Sequence, residues 1–271
     1  MAVSPKSPVD QLMNAHLLAS GEYGWEAPDT WQQGRGAFGG LSMGAMIRAM
    51  EAHIDDASMA LRTMGSTMSA PVMPGETTIE VRTIREGSST VAVTASLMQD
   101  GDLKNHATAV FGKARRIDLE DWSRLTPPSW ADWTQQDPAP LGPPLGPVFS
   151  QHMEFRPQGP MPFSQDEHPR SEGWIRPRNP GPTRDNAYLA CLADAWWPVT
   201  YVQLSMPRPM ATIHFNMQFV GSWEGLNPDA PLFHESTSPV AQQGYTVELR
   251  RLWGEDGRLM ALNQQTIVVI K

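Results

Sequence analysis

Alternating apolar and polar residues predict two sets of β-strands, one in each half of the chain. In the first half, four alternating segments follow one another with short turns between them: 61–70, 77–85, 90–99 and 103–113. The second half repeats this order, with segments 211–220, 232–240, 245–253 and 259–270. Alternation with a period of two is typical of strands that bury one face. Each set therefore predicts a four-stranded antiparallel meander.

A helix and a short strand precede each meander. The first helical segment, 41–52, is mostly apolar. In the second, 184–197, every residue from Ala187 to Trp197 is apolar except Asp194. A helix that is apolar on all sides is a core helix. The short strands that precede the helices are predicted at 25–31 and 174–178.

The two halves are related by an internal duplication. Leu103 and Leu259 each stand two residues after the glycine of the last hairpin, and they are 156 positions apart. A strand, a helix and a four-strand meander predict an α+β unit in which an antiparallel sheet wraps around one central helix. Two such units side by side would form one continuous sheet, with a helix against each half.

Proline and tryptophan mark a connector between the two units. Fourteen of the 25 prolines lie between Pro127 and Pro182, a spacing that neither a helix nor a central strand accommodates. Four tryptophans are expected to hold this stretch on a surface: Trp122, Trp130, Trp133 and Trp174. We therefore divide the chain into an N-terminal unit (1–116), a connector (117–172) and a C-terminal unit (173–271).

Composition limits the compartment and the partners. The net charge of −8 disfavours nucleic-acid binding, which requires a basic face. Cys191 is the single cysteine, which excludes an internal disulfide and a cysteine-rich metal site. No apolar run approaches the roughly 20 residues of a membrane span, and residues 1–6 show no signal peptide. We expect a cytoplasmic protein without a membrane span or a metal.

Asp194 is a candidate catalytic base. Its neighbours one and two helical turns back are small, namely Cys191, Ala190 and Ala187. A carboxylate on such a face is expected to be buried, to be hydrogen-bonded and to have a perturbed pKa, as catalytic bases often do. The alternative is that Asp194 reaches solvent or a nearby arginine from the end of the helix.

Two polar residues fall at comparable places in the strands. Thr212 begins the first strand after the second helix, where β-propensity alone would also explain a threonine. Gln264 and Gln265 of the last strand point to opposite faces of the sheet. Periodicity does not select which of the two faces the helix.

These motifs together resemble the acyl-CoA thioesterases of the bacterial thioesterase II type, whose fold is a double hotdog. The resemblance covers about residues 20–115 and 173–271 but not the connector. Its order and spacing are carried by four pieces: Phe38-Gly39-Gly40 before the first helix, Tyr188 to Asp194 with Pro198 after the second, Ala211-Thr212-Ile213, and the last hairpin from Gly257 to Gln265.

The resemblance implies a function and a site. In that family an Asp, a Thr and a Gln hold the attacking water, which implies these roles for Asp194, Thr212 and Gln265. It also implies an acyl-CoA substrate, a homo-oligomer and no cofactor. Backbone N–H groups after Gly39-Gly40 could bind the oxyanion. Three aromatic residues could line an acyl tunnel, although core packing explains them equally well: Phe38, Trp196 and Trp197.

Other readings of the residues remain. The same fold could bind acyl-CoA or an acyl chain without catalysis. Gly40-Leu41-Ser42-Met43-Gly44 fits the G-x-S-x-G pattern of serine hydrolases, but the hydrophobic strand that should precede it is missing. A hotdog dehydratase is disfavoured because no histidine pairs with an Asp in a hydratase-like motif. Five arginines could meet CoA phosphates, with solvent exposure as the default: Arg176, Arg178, Arg184, Arg250 and Arg251.

Overall fold

The computed structural model describes residues 7–116, 118 and 122–270. Within them the α-helices are α1 (Val9–Leu12), α2 (Gly39–Ile54) and α3 (Asn186–Ala195). Short 3-10 helices lie at Trp133–Gln135, Val148–His152 and Val199–Val202. The strands of the first half are β1 (His16–Ala19), β2 (Glu22–Ala27), β3 (Gln32–Gln33), β4 (Gly36–Ala37), β5 (Ala60–Met68), β6 (Gly75–Glu86), β7 (Thr90–Gln99) and β8 (Asp102–Gly112). Those of the second half are β9 (Met153–Pro157), β10 (Arg170–Pro177), β11 (Met210–Phe219), β12 (Leu232–Gln242), β13 (Tyr245–Trp253) and β14 (Leu259–Val269).

Twelve of these strands form one continuous antiparallel sheet. Their order is β1-β2-β6-β7-β8-β5-β11-β14-β13-β12-β10-β9. The two halves meet at β5 and β11, where Met64 lies opposite Met217. Outward from this seam, the order β5-β8-β7-β6-β2 of the first half is matched by β11-β14-β13-β12-β10 of the second. The predicted α+β double hotdog, with one sheet shared by two duplicated units, is confirmed. Within each half, β6-β7-β8 and β12-β13-β14 follow the chain order, whereas β5 and β11, which were predicted as the first strands of the meanders, pair instead with β8 and β14.

The central helices α2 and α3 pack against each other in opposite directions. Glycines of α2 make this approach possible, because a Cβ on Gly40 would lie 2.9 Å from the carbonyl oxygen of Cys191. One turn further on, a Cβ on Gly44 would lie 3.4 Å from the carbonyl oxygen of Ala187. The first turn of α2 therefore lies beside the last turn of α3.

The element boundaries differ from the predicted ones for local reasons. Helix α3 begins at Asn186 rather than 184, because the Asp185 side chain caps it by accepting a 2.8 Å hydrogen bond from the N–H of Tyr188. The short strand that precedes helix α2 is Glu22–Ala27 rather than 25–31. It ends before Pro28, which has no N–H to donate to a neighbouring strand.

The proline-rich stretch contributes an edge strand to the sheet. Strand β9 pairs with β10 at the end of the second half, a position where proline is tolerated. The ring of Trp130 lies 5.1 Å from that of Trp174, and the guanidinium of Arg156 lies 5.3 Å from the ring of Trp133. These tryptophans hold the stretch on the sheet, whereas Trp122 is 68% exposed. The division of the chain at 116 and 172 stays a prediction.

None of the helices in the described part of the chain is long and apolar enough to cross a membrane. Residues 1–6, on which the expectation of no signal peptide rests, lie outside the described residues, as do 117, 119–121 and 271. The cytoplasmic location and the homo-oligomer stay predictions.

Candidate active site

Asp194 lies in the last turn of α3 and is buried, with 7% of its surface exposed. Its carboxylate accepts a hydrogen bond from the backbone N–H of Gly40, in the first turn of α2, and another from the side chain of Gln265. The amino-terminal end of a helix carries a partial positive charge that favours an anion. Asp194 therefore points into the protein and does not reach solvent, whereas an arginine, Arg250, does lie close enough to lower its pKa.

Gln265 connects Asp194 to Thr212. The hydroxyl of Thr212 donates to Oε1 of Gln265 over 3.0 Å. The amide nitrogen of Gln265 donates to Oδ1 of Asn263 over 3.0 Å and to the carbonyl oxygen of Ala193 over 3.5 Å, and the same side chain interacts with the carboxylate of Asp194, whose pKa it lowers. Gln265 is fully buried, whereas Gln264 is exposed. The structure thus brings Asp194, Thr212 and Gln265 together, with Gln265 in the middle.

Burial sets the protonation behaviour of Asp194. Loss of solvent raises its pKa from 3.8 to about 6. The positive charge of Arg250 and the hydrogen bonds from Gly40 and Gln265 act in the opposite direction, while the charge of Glu248 adds to the increase. A carboxyl group with this pKa is mostly ionised at neutral pH and is basic enough to accept a proton from water during a reaction.

Glu248 and Arg250 of β13 form a buried ion pair beneath Asp194. Nη2 of Arg250 lies 2.6 Å from Oε2 of Glu248, and both side chains are almost completely shielded from solvent. Arg250 also donates to the carbonyl oxygen of Ala193, over 2.9 Å, and that of Trp196, over 3.4 Å. The other oxygen of Glu248 accepts the N–H of Val199 over 2.6 Å. The prediction that Arg250 could meet CoA phosphates from the surface is wrong.

The backbone at the start of α2 is engaged with Asp194. A Cβ on Gly39 would lie 2.9 Å from Oδ2 of Asp194, so the carboxylate occupies the space that a side chain would fill. The N–H of Gly40 donates to Asp194, and the N–H of Leu41 donates to the carbonyl of Phe38 over 3.1 Å. Of the N–H groups after Gly39-Gly40 that were expected to be available to an oxyanion, that of Leu41 therefore has an acceptor within the protein.

The three aromatic residues expected at the site differ in their exposure. Phe38 is fully buried and stacks on Phe149, with ring centroids 4.0 Å apart. Trp196 is buried as well, and its Nε1 donates to Oγ of Ser171 over 2.6 Å. Core packing accounts for these two rings. Trp197 is partly exposed and stays a candidate for contact with a substrate.

The serine-hydrolase reading does not fit the structure. Ser42 lies inside α2 and is 3% exposed. Its hydroxyl donates to the carbonyl oxygen of Gly39 over 2.9 Å. A nucleophilic serine of that class instead stands at a sharp turn between a strand and a helix, with its oxygen exposed.

Each half has a β-bulge at the same place, and these two bulges allow the halves to be aligned residue by residue. The register shifts between Leu61 and Thr63 in β5 and between Thr212 and His214 in β11. Aligning these bulges places Leu61 at the position of Thr212. One strand further out, Ala109, opposite Met64, corresponds to Gln265, opposite Phe215. The first half therefore has apolar residues where the second half has its threonine and glutamine.

Asp194→Asn is expected to stabilise the fold at neutral and alkaline pH. Because the pKa of Asp194 is higher in the folded protein than its ordinary value, this carboxyl favours folding below pH 3.8, and the contribution is lost as the pH rises through about 6. An increase of the pKa from 3.8 to about 6 corresponds to about 3 kcal/mol. Urea unfolding at pH 8 should therefore show the asparagine variant to be more stable by up to about 3 kcal/mol. The difference should shrink towards pH 4, and an equal difference at both pH values would contradict this account.

Comparisons with known proteins follow the same division into two halves. Residues 27–112 match the family model of the acyl-CoA thioesterase N-terminal domain, and residues 123–269 match that of the acyl-CoA thioesterase C-terminal domain. No curated protein matches the chain significantly.

Similar solved structures cover nearly the whole chain. A conserved protein with a hot dog fold from Alicyclobacillus acidocaldarius has a TM-score of 0.84 at 23% identity, covering 97% of this chain and 98% of its own. A tesB protein from Mycobacterium avium subspecies paratuberculosis has a TM-score of 0.79 at 13% identity, with coverage of 97% and 98%. Acyl-CoA thioesterase II TesB2 from Mycobacterium marinum has a TM-score of 0.74 at 17% identity, also with coverage of 97% and 98%. These likenesses confirm the fold, and the two matched domain models show that the chain belongs to the acyl-CoA thioesterase family.

Proposed function

We propose that the protein hydrolyses an acyl-CoA thioester to a free acid and CoA, with Asp194 as the base that activates water. The observation that carries this proposal is the buried carboxylate of Asp194, which Gln265 connects to the hydroxyl of Thr212. Family membership supplies the reaction class. The geometry supports it with a buried carboxyl group, whose pKa is raised to about 6, and two polar groups beside it.

The chemistry of a thioester requires little beyond this set. The leaving thiol has a pKa of about 8.5, like that of cysteine, so the thiolate departs without a strong general acid. What the site has to do is take a proton from water and orient that water towards the carbonyl carbon. In the proposed mechanism Asp194 accepts the proton. Thr212 donates its hydroxyl hydrogen to Gln265, so its oxygen lone pairs are left to accept a hydrogen bond from the water.

We further propose one catalytic site for each chain. The first half has Leu61 and Ala109 at the positions of Thr212 and Gln265, and neither side chain can hold a water molecule. A partly buried carboxyl group is nevertheless present near the end of α2, where Glu51 accepts a 2.8 Å hydrogen bond from Asn186. Because Leu61 and Ala109 replace the threonine and the glutamine, we propose that Glu51 does not activate water.

A thiol-release assay tests the proposed reaction. The purified protein should release free CoA thiol in many turnovers from at least one of a set of short, medium, long and aromatic acyl-CoAs. The preferred acyl group, which the sequence leaves open, would follow from the same set. Binding of acyl-CoA in a fixed ratio without any release of thiol would overturn the proposal and favour the non-catalytic binding protein.

A further inference from the structure

The second half has a buried polar layer of five residues at positions where the first half has apolar residues. Strands β13 and β14 carry this layer on the face towards α3, and β7 and β8 are their counterparts in the first half. The alignment through the bulges pairs each buried polar residue with an apolar one: Thr246 with Val91, Glu248 with Val93, Arg250 with Ala95, Asn263 with Ala107, and Gln265 with Ala109. Duplication thus provides an internal comparison between two cores of the same architecture.

The first half shows that the same architecture can be built with apolar residues at the positions of the Glu248–Arg250 ion pair. In the first half, Val93 and Ala95 fill the same two positions and are fully buried. Transfer of two charges from water into a protein interior is costly, and replacement of a buried ion pair by apolar residues is often neutral or stabilising. The presence of a buried ion pair at these positions therefore needs an explanation other than filling the hydrophobic core.

The contacts of the pair lie on both sides of Asp194 in the chain. Arg250 binds the carbonyl oxygens of Ala193 and Trp196, at distances of 2.9 and 3.4 Å. Glu248 binds the N–H of Val199 over 2.6 Å. The backbone that precedes Asp194 and the backbone that follows it are thus attached to one rigid, buried group.

We propose that Glu248 and Arg250 are positioning residues for Asp194, holding the last turn of α3 so that its carboxylate faces Gln265 and Gly40. This inference rests on the proposed function, since it assigns the pair to the same site. Neither residue contacts the reacting atoms, and both act through Asp194.

The charged surroundings of Asp194 set the expected direction of the pH effect. From β13 it faces Arg250, which lowers its pKa, and Glu248, which raises it, with the arginine the stronger of the two. From its own helix it faces the Cys191 thiol, whose pKa is raised by burial and then by Asp194. Helix α2 and strand β14 contribute uncharged donors, Gly40 and Gln265. Removal of both members of the pair should therefore raise the pKa of Asp194.

The double variant Glu248→Val/Arg250→Ala gives the second half the residues of the first. We expect it to fold with unchanged circular dichroism, because the removal of two buried charges offsets the loss of the bonds to Ala193, Trp196 and Val199. Its kcat at pH 7 should be at least about tenfold lower than that of the wild type, because the carboxylate is displaced. KM should change little. The pH below which kcat falls (the acid limb of the profile) is expected near 6 in the wild type from the pKa of Asp194, and it should move to a higher value in the double variant.

Two further variants separate position, charge and stability. Arg251→Ala removes the neighbouring arginine, which binds Glu235 over 2.9 Å on the other face of β13, and should leave the pH profile unchanged. Arg250→Lys keeps the charge but loses the planar fork that binds two carbonyls and a carboxylate. In this variant kcat should fall while the acid limb of the pH profile stays near its original pH. If the double variant does not fold, a wild-type kcat in Arg250→Lys would overturn the positioning role.

NMR titration separates the positioning role of the pair from the proposed thioesterase function. The protein would be labelled with 13C in its aspartate carboxyl groups. The pKa of Asp194 can be followed in this way without any turnover, so the effect of the pair is measurable even if no acyl-CoA is hydrolysed. A wild-type kcat and acid limb in the folded double variant, together with an unmoved Asp194 titration, would overturn the positioning role. If Asp194→Asn were inactive at the same time, the proposed function would still stand.

Discussion

Asp194→Asn is expected to lower kcat by about 100- to 10,000-fold, the usual contribution of a general base. Asparagine has nearly the same shape as aspartate but cannot accept a proton from water at neutral pH. Because Asp194 is buried and its burial is costly, the variant should remain folded. Steady-state thiol release at pH 8, where the wild-type carboxyl is ionised, measures the effect without interference from its pKa of about 6.

Glu51→Gln is the matched control for this experiment. Glu51 is also a partly buried carboxyl group in a central helix, its pKa is also raised by loss of solvent, and it also accepts a hydrogen bond from an amide side chain, that of Asn186. Since its half lacks the threonine and the glutamine, kcat should stay at the wild-type value. A normal rate in Asp194→Asn, or an equal loss in both variants, would show that Asp194 is not the base.

Gly39→Ala is expected to lower kcat by about 10- to 100-fold, because a displacement of catalytic groups by about 1 Å can cost that much. The added Cβ would lie 2.9 Å from Oδ2 of Asp194 and 3.0 Å from Cε of Met68. Both atoms are at the ends of side chains, so they can move aside and the backbone can stay in place. The carboxylate would then turn away from its position beside Gln265.

The measurement for Gly39→Ala compares kcat with the free energy of unfolding. We expect the free energy of unfolding in urea to change by less than about 1 kcal/mol, because no backbone atom obstructs the new methyl group. Gly112→Ala serves as its control, since a Cβ there would meet its nearest neighbour at 3.6 Å, an ordinary contact. If Gly39→Ala keeps the wild-type kcat, the space beside Asp194 does not constrain the carboxylate.

The fold could be predicted from the sequence because its elements follow simple patterns. Strand alternation and the two apolar helices are repeated in both halves, so each half supports the reading of the other. Strand β9 was missed because it lies in a proline-rich stretch, and its place at the sheet edge explains why proline is tolerated there. The choice of Gln265 over Gln264 rested on the family resemblance, since alternation alone gives two equivalent answers.

The Glu248–Arg250 pair could not be predicted because the alternation in β13 is misleading. Apolar Val247 and Leu249 would normally mark the buried face of such a strand. In the structure Leu249 is 43% exposed, while Glu248 and Arg250 are buried. In β13 the charged residues are buried and the apolar ones face outward, which reverses the usual pattern. Aligning the two halves in sequence, which pairs Glu248 with Val93 and Arg250 with Ala95, could have revealed this.

Fusion of both halves into one polypeptide has an energetic consequence. An assembly of two identical subunits would carry every substitution twice, so any buried charge introduced for catalysis would weaken both cores at once. In the joined sheet, the half with Val93 and Ala95 keeps an entirely apolar interior at these positions. The first half can therefore stabilise the shared sheet, which offsets the cost of the buried charges in the second half. The second half can then carry the residues proposed for catalysis.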